Sequence, residues 1–132
     1  MPSMQYSIPP WHYNESIVND ICKRYVDIHE ELVFPILINA AKKAVITGEP
    51  IIRPMWWNDS NDATNLIIDD QYLLGDSLLV APILDKGAVK RDIYLPKGNW
   101  QDGYNSSAIY VGPKWLKDYP ADIQIIQFFK AA

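Results

Sequence analysis

Between Ser16 and Thr47 the chain carries apolar residues at helical spacing, closed by Gly48 and Pro50, and this run constrains the fold more than any other feature. Ile17, Ile21, Tyr25, Ile28 and Leu32 follow one another at intervals of four, four, three and four, which puts them on one face of a helix with a polar opposite face. Asn14 offers a cap ahead of it. Pro35 interrupts the stripe, yet Ile36, Leu37, Ala40, Ala41 and Ala44 continue it, so the spacing predicts a kinked helix or two helices meeting at the proline. Lys42 and Lys43 suit the negative end of a helix dipole, and Gly48 with Pro50 stops the helix near Thr47.

Beyond Pro50 the pattern shortens. Ile51 to Trp57 is mostly apolar and bounded by proline, as a buried strand would be, and in a strand Trp56 and Trp57 would face opposite sides. Asn58 to Asn65 is a polar loop. Gln71 to Leu74, Leu78 to Leu84 and Asp92 to Leu95 read as short strands, with turn signals at Gly75-Asp76, Lys86-Gly87 and Lys97-Gly98. The expected organisation is a helix feeding a buried strand, an α/β signature, then an antiparallel β module beginning near residue 76. Residues 1–13, with Pro2, Pro9 and Pro10, form an irregular lead-in.

With 132 residues, 48% of them apolar, the chain can bury a real core, which argues against intrinsic disorder. The formal charge of −4 and scattered lysines and arginines give no electrostatic footprint for phosphate backbones, so no nucleic acid partner is expected. The longest apolar stretch, Leu78 to Leu84, is far below the ~20 residues of a membrane-spanning helix. Met1 to Tyr6 has neither the basic start nor the apolar run of a signal peptide, so the targeting segment of a secreted protein would lie outside this chain. Three sequons, at Asn14-Glu15-Ser16, Asn58-Asp59-Ser60 and Asn105-Ser106-Ser107, point to a lumenal or extracellular compartment of the secretory pathway.

Chemistry-bearing constellations are sparse. Cys22 is the only cysteine, which excludes an internal disulfide and a thiolate zinc site; its place on the apolar helix face suits a small core residue. There is no phosphate-cradling glycine loop or nucleophile elbow, and His12 and His29 stand apart, so no cofactor and no metal are expected. Glu30-Glu31 reads as solvated charge on a helix. Asp69, Asp70 and Asp76 invite comparison with the paired carboxyls of glycosidases, but adjacent aspartates before a strand and an aspartate after glycine are more often turn and cap residues. Five tryptophans and eight tyrosines can stack on sugar rings and are equally ordinary core material.

Gly48-Glu49-Pro50-Ile51-Ile52-Arg53-Pro54-Met55-Trp56-Trp57, followed by Ile68-Asp69-Asp70-Gln71-Tyr72-Leu73-Leu74-Gly75-Asp76 and Leu78-Leu79-Val80-Ala81-Pro82, resembles the C-terminal half of glycoside hydrolase family 31. The likeness continues through Arg91-Asp92-Ile93-Tyr94-Leu95-Pro96 and Gly98-Asn99-Trp100. Met1 to Trp11 and the stretch from Asp118 to Asp122 are closer to the myogenesis-regulating glycosidase branch. The resemblance implies that 1–76 are the C-terminal part of a (β/α)8 barrel, with 51–57 as its eighth strand, and that 77–132 are a proximal antiparallel β-sandwich domain.

It also implies a retaining α-glycosidase that works by double displacement, with an aspartate nucleophile and an aspartate acid/base, both upstream of Met1. None of the aspartates here matches either motif, so no catalytic residue is carried over and this piece alone is expected to be inactive. Many family members carry an Arg-Asn-His run whose histidine binds the sugar in the cleavage subsite. Gln5-Tyr6-Ser7 stands in that place, leaving Gln5 and Ser7 as substrate-binding candidates. The myogenesis-regulating branch shares this departure, and the resemblance to it implies an α-galactosidase-type preference, with an α-glucosidase-like one as the alternative. The implied partners are an α-linked oligosaccharide and the N-terminal part of the barrel. The competing expectation is a non-catalytic module that binds carbohydrate or protein.

Overall fold

The computed structural model describes residues 9–13, 15–121 and 127–132, and the chain divides into two compact units, Met1–Pro35 and Ile36–Ala132. In the first unit a 3-10 turn (Pro10–His12) precedes helix α1 (Ser16–Ile28). The stripe at helical spacing is half-buried at Ile21, Tyr25 and Ile28, whereas Ile17 is exposed. A single π-helical turn, His29–Val33, follows, in which Phe34 N–H reaches back to His29 O. Proline lacks the amide hydrogen and its ring crowds the preceding turn. The widened turn just before Pro35 relieves that crowding, so the expected interruption takes the form of a π turn leading into helix α2 (Phe34–Thr47).

Helix α2 ends where the sequence predicts. Gly48 adopts φ of +76°, a conformation costly for residues with a Cβ, and its N–H bonds Ala44 O at 2.8 Å. Beyond α2 the second unit is built on one antiparallel sheet of six strands: β1 (Ile52–Pro54), β2 (Tyr72–Leu74), β3 (Leu78–Ala81), β4 (Lys90–Asp102), β5 (Ile109–Pro120) and β6 (Gln127–Ala131). Their order across the sheet is β1-β2-β3-β6-β4-β5.

One expectation is corrected at β1. The strand stops at Pro54, and Met55–Trp57 form a 3-10 turn, because Pro54 has no N–H with which to extend the ladder. Met55 points into the core at 0% exposure while Trp56 and Trp57 are each 41% exposed, so neither tryptophan is the core residue that a continued strand would make one of them. A short helix, α3 (Ala63–Ile67), follows, capped by Asp62, whose carboxylate accepts Thr64 N–H at 2.9 Å.

Register puts Arg53, Leu73, Leu79, Phe129 and Asp102 opposite one another on successive strands, so they share one face. All five are buried. Around them Met55, Ala81, Ile93, Leu95, Trp100 and Leu116 complete the core, with Ile68, Tyr110 and Tyr119 packed at its margin. Each large apolar side chain removed from water there contributes about 1.5–3 kcal/mol before entropy is counted. Leu74, Leu78 and Phe128 are buried on the opposite face. Gly103 passes so close beneath the Phe128 ring that a Cβ would collide with it.

The β4–β5 hairpin is far longer than the strand expected at Asp92 to Leu95 and twice shifts register, between Arg91 and Ile93 and between Leu95 and Gly98. At the first shift Asp118 takes φ of +50°, its N–H bonding the Asp92 carboxylate at 3.0 Å, while Lys117 pairs with the other Asp92 oxygen at 2.6 Å.

Candidate functional site

Arg53 is the centre of the densest polar cluster. Its place in the middle of β1 aims it into the unit, where its side chain is 3% exposed. Nε donates to Pro50 O at 2.8 Å, Nη2 to Glu49 at 2.8 Å, and Nη1 to Asn58 Oδ1 at 3.2 Å and to Asp76. Lys43, in the last turns of α2, bridges the same two carboxylates at 2.8 Å from Glu49 and 3.1 Å from Asp76. Two acids and two bases thus alternate around one point.

This electrostatic balance decides what the carboxyls can do. The Lys43 hydrogen bond holds Glu49 below the ordinary carboxylate range. At Asp76 burial is the largest single influence and pushes upward, but the Lys43 hydrogen bond and the Arg53 and Lys43 charges together outweigh it and hold the group low. Hydrogen bonds from Tyr94 and Thr64 lower Asp62, and Lys117 with the Asp118 N–H lowers Asp92. A general acid must hold its proton near neutral pH, so a carboxyl with a depressed pKa is unsuited to that role. Asp76 is an ion-pair partner in a turn. Asp70 accepts from Arg91 Nη2 at 2.7 Å, and Asp69 is exposed.

Next to this cluster lies a cleft of about 460 Å³, lined by Asn58, Asp59 and Asp76 together with the Pro96–Trp100 stretch of β4, where the turn expected at Lys97-Gly98 is instead continuous strand. Trp100 offers no stacking face there, since it is 5% exposed and its indole N–H is bonded to Pro96 O at 2.8 Å. Trp56 and Trp57, 5.9 Å apart and exposed, are the aromatic surfaces nearest to Asn58 in sequence.

Two further polar arrangements hold the sheet. Gln71 is buried, and its amide acts as a backbone unit would, donating to Tyr94 O at 2.9 Å and accepting Tyr94 N–H at 2.8 Å; β2 and β4 are not neighbours, and this side chain joins them. Asp102 accepts the N–H groups of Tyr104 at 2.7 Å and Asn105 at 2.9 Å, and the Tyr119 hydroxyl donates to it. Burial, followed by the Asp102 hydrogen bond, raises the Tyr119 phenol above its ordinary value.

Gln5, Ser7 and Asn14 lie outside the described residues. Asn58 and Asn105 are both exposed. His12 sits in the exposed 3-10 turn and His29 in the π turn, where its Nδ1 is buried without a partner. Glu30 and Glu31 are exposed, and Cys22 is a half-buried free thiol. Among the described residues no group of three or more His, Cys, Asp or Glu could hold a metal ion, and no helix is long and apolar enough to cross a membrane. The Arg53 hub and the Gln71 staple were not anticipated from sequence; the signal for the hub was the acidic pair Glu49 and Asp76 bracketing an arginine in an apolar run.

An antiparallel sheet bearing these motifs defines the class: residues 48–131 match the model of the glycosyl hydrolase family 31 C-terminal domain, and the chain belongs to that family. In particular, it is 43% identical over 129 residues to the myogenesis-regulating glycosidase of Mus musculus, covering 98% of this chain and 18% of the mouse protein. It is 34% identical over 131 residues to the SITS-binding protein of Tetronarce californica, covering 98% of this chain and 19% of that one. Among solved structures, a family 31 dextranase of Flavobacterium johnsoniae complexed with isomaltotriose superposes with a TM-score of 0.85 at 33% identity, over 95% of this chain and 15% of the dextranase. The chain therefore spans less than a fifth of the length of each of these relatives.

Proposed function

We propose that this chain is the C-terminal part of a retaining α-glycosidase of the secretory pathway, acting on an α-linked oligosaccharide or glycoside. The observation that carries the reading is the 43% identity to a glycosidase, held over 98% of the chain. In this reading 1–76 close a (β/α)8 barrel, 77–132 form the proximal β-sandwich domain, and the nucleophile and acid/base aspartates come from sequence upstream of Met1. The depressed pKa values of Glu49, Asp62, Asp76 and Asp92 make these carboxyls unsuited to the acid/base role, in keeping with an acid/base aspartate supplied from upstream.

Exposed apolar side chains support it further. Val45 and Ile46 on α2 are 89% and 85% exposed and Ile52 on β1 is 62% exposed. Trp56, Trp57, Leu66 and Ile67 follow on the next turn and helix. The remainder of the barrel is the cover that such a surface requires. Gln5 and Ser7 are the residues proposed to line the sugar pocket; serine has neither the reach nor the charge of the imidazole common in the family, which speaks against the usual α-glucosidase pocket, and the likeness to the myogenesis-regulating glycosidase favours an α-galactosidase-like one.

A second reading, a non-catalytic binding protein of the same fold, is favoured by one relative, which is named for what it binds rather than for what it cleaves. One experiment separates the two. The transcript is sequenced upstream of Met1, and the protein it encodes is assayed on aryl α-galactosides and aryl α-glucosides. Both aspartates in frame and hydrolysis of either substrate establish the enzyme; binding of α-linked oligosaccharide without hydrolysis establishes the second reading.

A further inference from the structure

We propose that Asn105 is an asparagine to which an N-linked oligosaccharide is attached and that Asn58 stays unmodified. The inference rests on the lumenal compartment proposed above, but the choice between the two sequons comes from geometry. Attachment occurs at the amide nitrogen: a bond forms between Nδ2 and the anomeric carbon of a lipid-linked oligosaccharide diphosphate, the anomeric C–O bond to the diphosphate breaks, and the proton lost from Nδ2 leaves with the released lipid diphosphate. The asparagine oxygen takes no part, so a suitable site leaves Nδ2 open to solvent while the rest of the residue can be held.

Asn105 meets that requirement. It lies in the connection between β4 and β5, where Tyr104, Ser106 and Ser107 are exposed too. Its N–H donates to Asp102 at 2.9 Å, its carbonyl accepts Ala108 N–H at 2.9 Å, and its Oδ1 accepts Ser107 N–H at 3.1 Å. Every turn contact therefore uses the backbone or the amide oxygen, and Nδ2 makes no hydrogen bond among the described residues. The turn and the glycan are compatible.

Asn58 is differently employed. Its Oδ1 is an acceptor as in Asn105, but for the buried Arg53 guanidinium at 3.2 Å rather than for its own turn; it lines the cleft beside Asp59 and Asp76, and the backbone carbonyl of Asp59, the middle residue of its sequon, accepts Asn65 Nδ2 at 3.2 Å. A glycan there would have to leave from within the most crowded polar cluster of the unit. At Asn105 it would stand beside Tyr104, Ile109 and Val111, which are 42%, 57% and 69% exposed, and its bulk would shield the outer strand β5 from edge-to-edge pairing.

The test is cell-free translation of the full 132-residue chain behind a cleavable leader, in the presence of endoplasmic-reticulum microsomes, with Asn14→Gln throughout. Leader removal and protection from added protease report entry into the lumen independently of glycosylation, so the chain's natural address is not at issue. The expected result is a mobility shift, removed by an amidase specific for N-glycans, that survives N58Q and disappears with N105Q. A chain that reaches the lumen without a shift, or a shift that follows Asn58 instead, overturns the proposal. Failure of the compartment reading would show differently, as absence of the native protein from the secretory pathway while the leader-directed chain is still modified at Asn105.

Discussion

Arg53 is buried while both carboxylates it binds reach the surface, Asp76 at 59% and Glu49 at 31% side-chain exposure, and that asymmetry sets what each loss would do. Arg53→Met leaves two acids that can turn to water and keep Lys43, an expected cost of about 1–2 kcal/mol. The double change E49Q and D76N leaves the interior guanidinium with neutral acceptors only and no counter-charge, and should lower stability more than Arg53→Met does. Urea midpoints of the two variants in the intact family protein decide the order. The cluster also sets an acid limb. Because the folded pKa of Asp76 lies below its unfolded value, the unfolded state binds more protons as pH falls through the range between them. The stabilisation is complete above the unfolded value near 4 and is lost below it, as pH drops through the depressed folded value. D76N should flatten that part of a stability-against-pH curve. The sequence makes Asp76 legible as a turn residue after Gly75, but not its partner 23 positions earlier, since antiparallel register, not spacing, brings β1 and the β2–β3 turn together.

Among elements, the helices were the most legible. Apolar periodicity and a glycine free to take positive φ are local signals, and the helical run begins at Ser16 and ends at Thr47 as they require. The strands were less so. Ile51 to Trp57 is apolar apart from Arg53, and only the missing N–H of Pro54 tells where pairing stops. Strand β5 is mostly exposed and contains Gly112, Pro113 and Pro120, so it has little of the buried alternation by which strands are found. Gln71 is invisible to pattern altogether, because a side chain that completes a sheet has the same composition as one in solvent. Gln71→Glu keeps the acceptor for Tyr94 N–H but removes the donor to Tyr94 O and buries a charge, at an expected cost of about 2–3 kcal/mol. Glutamate protonation would restore a donor, so the deficit should shrink toward acid, which a pH series of thermal midpoints would reveal.

For the molecule as a whole, α2, β1 and the Trp56-Trp57 turn leave large apolar side chains exposed. The 132-residue chain by itself should release no product from aryl α-glycosides, and it should bind a hydrophobic dye until the remaining barrel sequence is co-expressed. Measured turnover by the purified piece would contradict the assignment of both catalytic aspartates to upstream sequence. Strand order has a separate consequence. Strand β6 follows the other five strands in the chain yet sits inside the sheet, between β3 and β4. The β1–β2–β3 meander and the β4–β5 hairpin can each zip up as they emerge from the ribosome, but no backbone ladder joins the two ribbons until residues 127–131 pair between them. The sheet closes like a lock whose last-cut tumbler is an inner one, so its assembly has to wait until residue 131 has been synthesised.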